Sequence, residues 1–185
     1  MFLIAGLGNI GERYSLTRHN VGFMVADCAI KAQYPTTNIN KTNFNATVVK
    51  TQETLFVKPT TYMNNSGIAV YAIKEYYKIE NQNIIVVHDD LDLPFGSVKF
   101  KIGGGHGGHN GLRSLDAHIG NDYTRVRIGI GKPDNKEDVV NYVLSNFSKE
   151  ELKQLEGIIT HTLKAIESLL KGTTMNEVKS KFTLK

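Results

Sequence analysis

Four polar groups in this 185-residue chain have the residue types to do chemistry. The densest runs from Gly103 to Gly111, where the only residues other than glycine are His106, His109 and Asn110. Such a segment is costly to order and fits a backbone that must turn sharply or approach something closely. Two imidazoles and an amide just before an expected helix stand where loops commonly carry function. The second group, His88-Asp89-Asp90-Leu91-Asp92, follows an apolar run. Its carboxylates suit either a divalent cation, with His88, His106 and His109 as added ligands, or the orientation of a distant histidine as general base. His106-x-x-His109 lies in glycine and lacks the helical zinc spacing.

The third group is His19-Asn20, at the entrance to an expected helix. Asn20 reads as the helix N-cap, but a cap has no use for His19. The fourth runs from Lys58 to Gly67 and holds Asn64 and Asn65. One of these would cap the next helix; the other would be free to offer amide donors and an acceptor to a pocket. No Gly-x-Ser-x-Gly elbow is present. A hydrolase made of these parts would activate water directly with a histidine and a carboxylate.

Gly6-Leu7-Gly8-Asn9-Ile10-Gly11 matches the dinucleotide fingerprint G-x-G-x-x-G. The residues after it show no apolar periodicity until Val21, and Asp27 falls inside the expected helix instead of closing a second strand. These glycines therefore read as a strand-end turn that exposes Asn9.

The elements that must position these groups follow from periodicity. Strands are expected at residues 2–7, 44–50, 54–58, 84–87, 97–102 and 124–130. The continuous apolar run Ile84–Val87 has the pattern of a strand covered on both faces. Helices are expected at 20–33, from Asn65 or Ser66 to about Lys78, and briefly after the glycine-rich run. A long helix opens at the capping box Ser148/Glu151 and closes near Gly172. The polar tail from Thr173 reads as a loosely held last helix. Alternating strands and helices, interrupted by hairpin-like pairs, predict an α/β fold: a single three-layer domain, residues 1–185, with a mixed central β-sheet flanked by helices.

Composition sets broader limits. The hydrophobic share of 41% and charged share of 22% are those of an ordinary globular protein. No apolar run is long enough to span a bilayer, and Met1–Gly6 does not read as a signal peptide. The single cysteine, Cys28, fits a cytoplasmic location and reads as a buried core thiol. The net charge of +4 is compatible with a polyanionic partner. Lys99, Lys101, Arg113, Arg125, Arg127, Lys132 and Lys136 crowd around the glycine-rich run in sequence, although a solvated face would look the same.

Taken together, these segments resemble the bacterial-type peptidyl-tRNA hydrolase family. The resemblance is carried by Gly6-Leu-Gly8-Asn9 with Arg18-His19-Asn20, by Lys58 to Gly67, by His88 to Pro94, by Gly103 to Gly111, and by Arg127-Ile-Gly-Ile-Gly131-Lys-Pro133. It covers most of residues 2–145 in order. It implies hydrolysis of the ester joining a peptide to the 3′ end of tRNA, recycling peptidyl-tRNA dropped by ribosomes. It also implies a monomer with peptidyl-tRNA as partner and with no cofactor, metal or protein partner. On that likeness His19 is the catalytic base and Asp89 the carboxylate that orients it. Asn9, Asn64 and Asn110 line the cleft, with Tyr14, Met63 and His109 at further substrate positions. Lys101 and Arg127 clamp the 5′-terminal phosphate of tRNA, and Lys99 is a weaker contact. Either Asn64 or Asn110 would donate to the oxyanion. Two departures stand out: Ile10 where the family commonly has proline, and Asp90 where it commonly has glutamate. The rival readings are a dinucleotide-dependent oxidoreductase, from the glycine fingerprint, and a non-catalytic RNA-binding module, from the basic excess.

Overall fold

A computed structural model describes residues 1–32, 37–38 and 44–185. One seven-stranded sheet organises it, with strand order β2-β3-β4-β1-β5-β7-β6. The strands are β1 (Phe2–Gly6), β2 (Thr37–Asn38), β3 (Ala46–Lys50), β4 (Thr54–Pro59), β5 (Ile84–Asp90), β6 (Val98–Ile102) and β7 (Thr124–Gly129). Strands β4, β1, β5 and β7 are parallel, while β2, β3 and β6 pair antiparallel at the flanks. The helices are α1 (Val21–Ala32), α2 (Ser66–Tyr77), α3 (Asn110–Ile119), α4 (Val139–Val143), α5 (Lys149–Leu170) and α6 (Met175–Phe182).

The apolar strands divide their side chains between two cores. Ile4, Ile85 and Val87 join α1 and α5 on one face. Leu3, Ala5, Ile84 and Val86 join α2 and α3 on the other. Alternate residues point to opposite faces, so an unbroken apolar run is what a strand between two helical layers requires. The expected three-layer α/β architecture with a mixed sheet is the one observed.

Parallel strands send their C-terminal ends to one edge. The chain leaves β1 toward Asn9, β4 toward Met63, and β5 at Asp89 along that edge, where open α/β sheets take ligands. The first glycines serve packing. A Cβ on Gly6 would run into the Gly22 carbonyl of α1, and one on Gly8 would meet the Phe23 ring at 2.5 Å. Helix α1 thus fills the space a pyrophosphate would need.

Several expectations are corrected. Cys28 is exposed rather than buried. The side of α1 that touches the sheet is set by Gly22, Ala26 and Ala29, which allow close approach and turn Cys28 outward. Helix α1 ends at Ala32, and residue 33 lies outside the described residues. Helix α4 carried no periodic signal at five residues. The last helix is not loose: Thr174 and Glu177 form a second capping box, Val178 is fully buried, and Leu184 exchanges two backbone hydrogen bonds with Val98 of β6. The Ser148/Glu151 capping box and the positive φ of Gly172 stand as expected.

Candidate active site

His19 sits in a 3-10 turn, Arg18–Asn20, just ahead of α1. Its neighbour Arg18 ties that turn to the far end of the chain. The guanidinium donates to Ser145 Oγ at 2.6 Å and to the Asn146 carbonyl at 2.7 Å, and pairs with Glu151 at 2.9 Å. Glu151 also accepts from the Ser148 amide, so one carboxylate caps α5 and anchors the turn that carries His19.

Asn20 does not cap α1. Its Oδ1 accepts from the Asn9 amide at 2.8 Å and its Nδ2 donates to the Asn9 carbonyl at 2.9 Å. The Asn9 side chain then accepts from the Met63 amide through Oδ1 at 2.8 Å, and its Nδ2 has no partner among the described residues. Neither neighbouring asparagine caps α2: Asn65 occupies the cap position without a side-chain bond.

Asp89, at the end of β5, is 2% exposed. His19 Nδ1 lies 2.8 Å from Asp89 Oδ2, and His109 Nε2 lies 2.8 Å from Asp89 Oδ1. His109 is the N-cap of α3, its Nδ1 accepting from the Gly111 and Leu112 amides. That nitrogen must therefore hold a lone pair, so the proton sits on Nε2 and is donated to Asp89. With one oxygen so occupied, Asp89 turns the other to His19. Burial opposes ionisation of Asp89, but His19 and His109 outweigh it and hold the carboxyl far below its usual range. Burial likewise opposes charge on His19, but the charge and hydrogen bond of Asp89 prevail and raise its pKa above the ordinary 6.5. His19 Nε2 has no partner among the described residues and is not sealed off, so it opens to the cleft.

His88 is a different case. Burial, with His109 close by, pushes it down to about 3. Its Nδ1 donates to the Asp89 carbonyl at 2.8 Å. His106 accepts from the Gly108 amide within its own loop. Of the three histidines weighed as cation ligands with these carboxylates, His88 and His106 bond backbone groups, and His109 alone, among the described residues, meets a carboxylate, that of Asp89. His19, Asp89 and His109 offer atoms within 4.8 Å of one another, a set that could hold a metal ion. In this arrangement both Asp89 oxygens are engaged by imidazole nitrogens at hydrogen-bond distance.

The glycine-rich loop owes its composition to backbone conformation. Gly103, Gly104, Gly107 and Gly108 all have positive φ, and a Cβ on Gly107 or Gly108 would meet nothing within 4 Å. Fully buried Arg125 fixes the loop from below, donating to the Gly105 carbonyl at 2.6 Å and the Gly104 carbonyl at 3.0 Å. Asp116 balances its charge at 3.2 Å and accepts from the Tyr123 hydroxyl at 2.7 Å.

Every residue expected at the site except the weaker candidate Lys99 lines one cleft of about 470 Å³. His19, Asp89 and His109 meet within it, and Asn9, Met63, Asn64 and Asn110 border it. Tyr14 stands in the turn that leads to His19. The pairing of β6 with β7 puts Lys99 opposite Arg127 and Lys101 opposite Arg125, so all four share one sheet face. Partial burial and the charges of Arg127 and Arg125 lower the Lys101 pKa. Sequence reasoning missed the Asn20–Asn9 clasp, the Arg125 anchor and the bond from Arg127 Nε to Asp90 Oδ2 at 2.8 Å. Only the alternation of cations along β6 and β7 gave a signal for the last two.

The family model for peptidyl-tRNA hydrolase matches residues 3–185. The chain belongs to this family. A peptidyl-tRNA hydrolase of Aliarcobacter butzleri is 69% identical over 185 residues, covering 100% of both chains. One from Sulfurovum sp. is 52% identical, covering 100% of this chain and 97% of its own. The crystal structure of peptidyl-tRNA hydrolase from Acinetobacter baumannii superposes with a TM-score of 0.90 at 37% identity, over 99% of this chain and 96% of that one. The fold of that solved relative is thus shared over nearly the whole of this chain.

Proposed function

We propose that this protein hydrolyses the ester between a peptide and the 3′ end of tRNA, with His19 as general base and Asp89 as its orienting partner. The observation that carries the assignment of the base is the 2.8 Å contact of His19 Nδ1 with a buried carboxylate, beside a free Nε2 in the cleft. Asp89 accepts the Nδ1 proton and so leaves the Nε2 lone pair for water. Water attacks the ester carbonyl as Nε2 takes its proton, and the carbonyl becomes an oxyanion. Collapse breaks the ester bond, and the imidazolium returns the proton to the departing ribose oxygen. The products are a free peptide and tRNA.

Either Asn64 or Asn110 is the donor expected at the oxyanion, and Asn9 joins as a candidate because its Nδ2 has no partner among the described residues while the rest of the residue is pinned. Tyr14, Met63 and His109 complete the substrate cleft, His109 by steadying Asp89. Lys101 and Arg127 take the 5′-terminal phosphate of tRNA, a contact blind to sequence and sensitive to salt. The chain acts as a single-domain monomer in the cytoplasm, without cofactor or protein partner. No helix among the described residues is long and apolar enough to cross a membrane.

Purified peptidyl-tRNA incubated with the protein in chelator tests this reading. Release of free peptide and tRNA is the expected result. Intact substrate would overturn it, and activity restored only by a divalent cation would replace the His19 base with a metal mechanism.

A further inference from the structure

Asp90 ends β5 directly after Asp89, and both of its carboxylate oxygens are engaged. Oδ1 accepts from the Asp92 amide at 2.9 Å, which fixes the carboxylate against its own turn. Oδ2 accepts from Arg127 Nε at 2.8 Å. The pair is largely shielded from solvent, the side chains being 13% and 21% exposed. A guanidinium presents two flat edges for a bidentate anion, one side-on through Nε and one end-on through the two terminal nitrogens. Asp90 occupies the first. The terminal nitrogens of Arg127 have no partner among the described residues, and Arg127 lines the cleft together with Lys101. Lys101 and Arg127 share a sheet face.

We propose that Asp90 is a positioning residue for phosphate recognition. It grips Arg127 by Nε and sets the end-on edge of the guanidinium beside Lys101, ready for a terminal phosphate monoester. The proposal rests on the reading that Lys101 and Arg127 take the tRNA 5′ phosphate. It also gives the short side chain at this position a purpose. An aspartate has one rotatable bond fewer than a glutamate, and here it bonds its own turn, so little freedom is lost in holding Arg127. Because Asp89 and Asp90 are consecutive, one strand end sets both the base that cleaves the ester and the cation that holds the other end of the acceptor stem.

The experiment compares kcat/KM for peptidyl-tRNA carrying a 5′ phosphate with the same substrate after phosphatase treatment. It is run on the unaltered protein and on D90N, D90E and R127A. The ratio of the two substrates cancels any general loss of folded or active protein. Both oxygens of Asp90 accept from N–H groups, so asparagine, with one acceptor and one donor, must give up one of the two bonds, and it removes the charge that Arg127 pairs with. D90N is therefore expected to cut the preference for the phosphorylated substrate by about three- to tenfold, through KM rather than kcat. D90E restores a carboxylate and is expected to recover most of the preference; it is also the second variant should D90N fold poorly. R127A is expected to abolish the preference. If R127A abolishes it while D90N and D90E both keep it in full, the positioning role of Asp90 is wrong and the clamp stands. If R127A keeps it, or the unaltered protein has none, the clamp reading fails and this proposal fails with it.

Discussion

His109 donates from Nε2 to Asp89 Oδ1 at 2.8 Å, and it can do so only because its Nδ1 is committed to two amides at the start of α3. A helix cap thus fixes a histidine tautomer, the tautomer fixes a carboxylate, and the carboxylate orients the base. Asp89 holds His19 while anchored on its other side, which removes the freedom that would let it swing away.

The pH dependence of kcat/KM tests the electrical half of this arrangement. The His19 pKa lies above its ordinary value of 6.5. Imidazolium cannot accept a proton, so activity falls as pH drops through that raised value and is full above it. In Asp89→Asn the charge that raises the pKa is gone and burial dominates. The acid limb moves to lower pH, and kcat falls by about 10²- to 10⁴-fold. An acid limb that stays in place in Asp89→Asn would show that another group sets it.

Lys101→Ala tests the division between ester chemistry and phosphate binding. Loss of one phosphate contact is expected to lower the slope of log K against log salt by about 1. The loss in kcat/KM should be much larger for peptidyl-tRNA than for a short ester analogue. Equal losses on both substrates would contradict a phosphate role.

Asn20→Ala removes both bonds that clasp the Asn9 backbone. Leaving a buried amide and carbonyl without their partner costs about 1–3 kcal/mol. The variant should unfold at lower urea and turn over more slowly, because Asn9 is no longer fixed. Unchanged stability and rate would show the clasp to be incidental.

Much of this fold can be read from single segments. The run Ile84–Val87 needs cover on both faces, and Ser148 with Glu151 makes a local cap, so β5 and the start of α5 follow from neighbours in sequence. His19 stood out because a helix entrance has no need of it. The residues alone left three carboxylates open as its partner, and the family likeness singled out Asp89. Other features depend on contacts distant in sequence. Asn20 looks like a cap until Asn9 is beside it, and Cys28 looks buried until the small residues of α1 set its packing side. Arg125 looks like surface charge until two loop carbonyls are found above it.

Ser148→Ala serves as a stability probe away from the cleft. Loss of the cap costs about 1 kcal/mol, up to 2 in demanding contexts. The upper end is expected because Glu151 also holds Arg18. Equilibrium denaturation reads this directly, and a change below a few tenths of a kcal/mol would mean that Glu151 keeps its place without Ser148.

The most direct test of the account is single-turnover cleavage of peptidyl-tRNA by His19→Ala, with tRNA binding measured on the same preparation. Cleavage should fall by about 10²- to 10⁴-fold while binding is retained, as expected when a general base is removed and the phosphate contacts remain. Near-normal cleavage by that variant would contradict the assignment of His19 as the base.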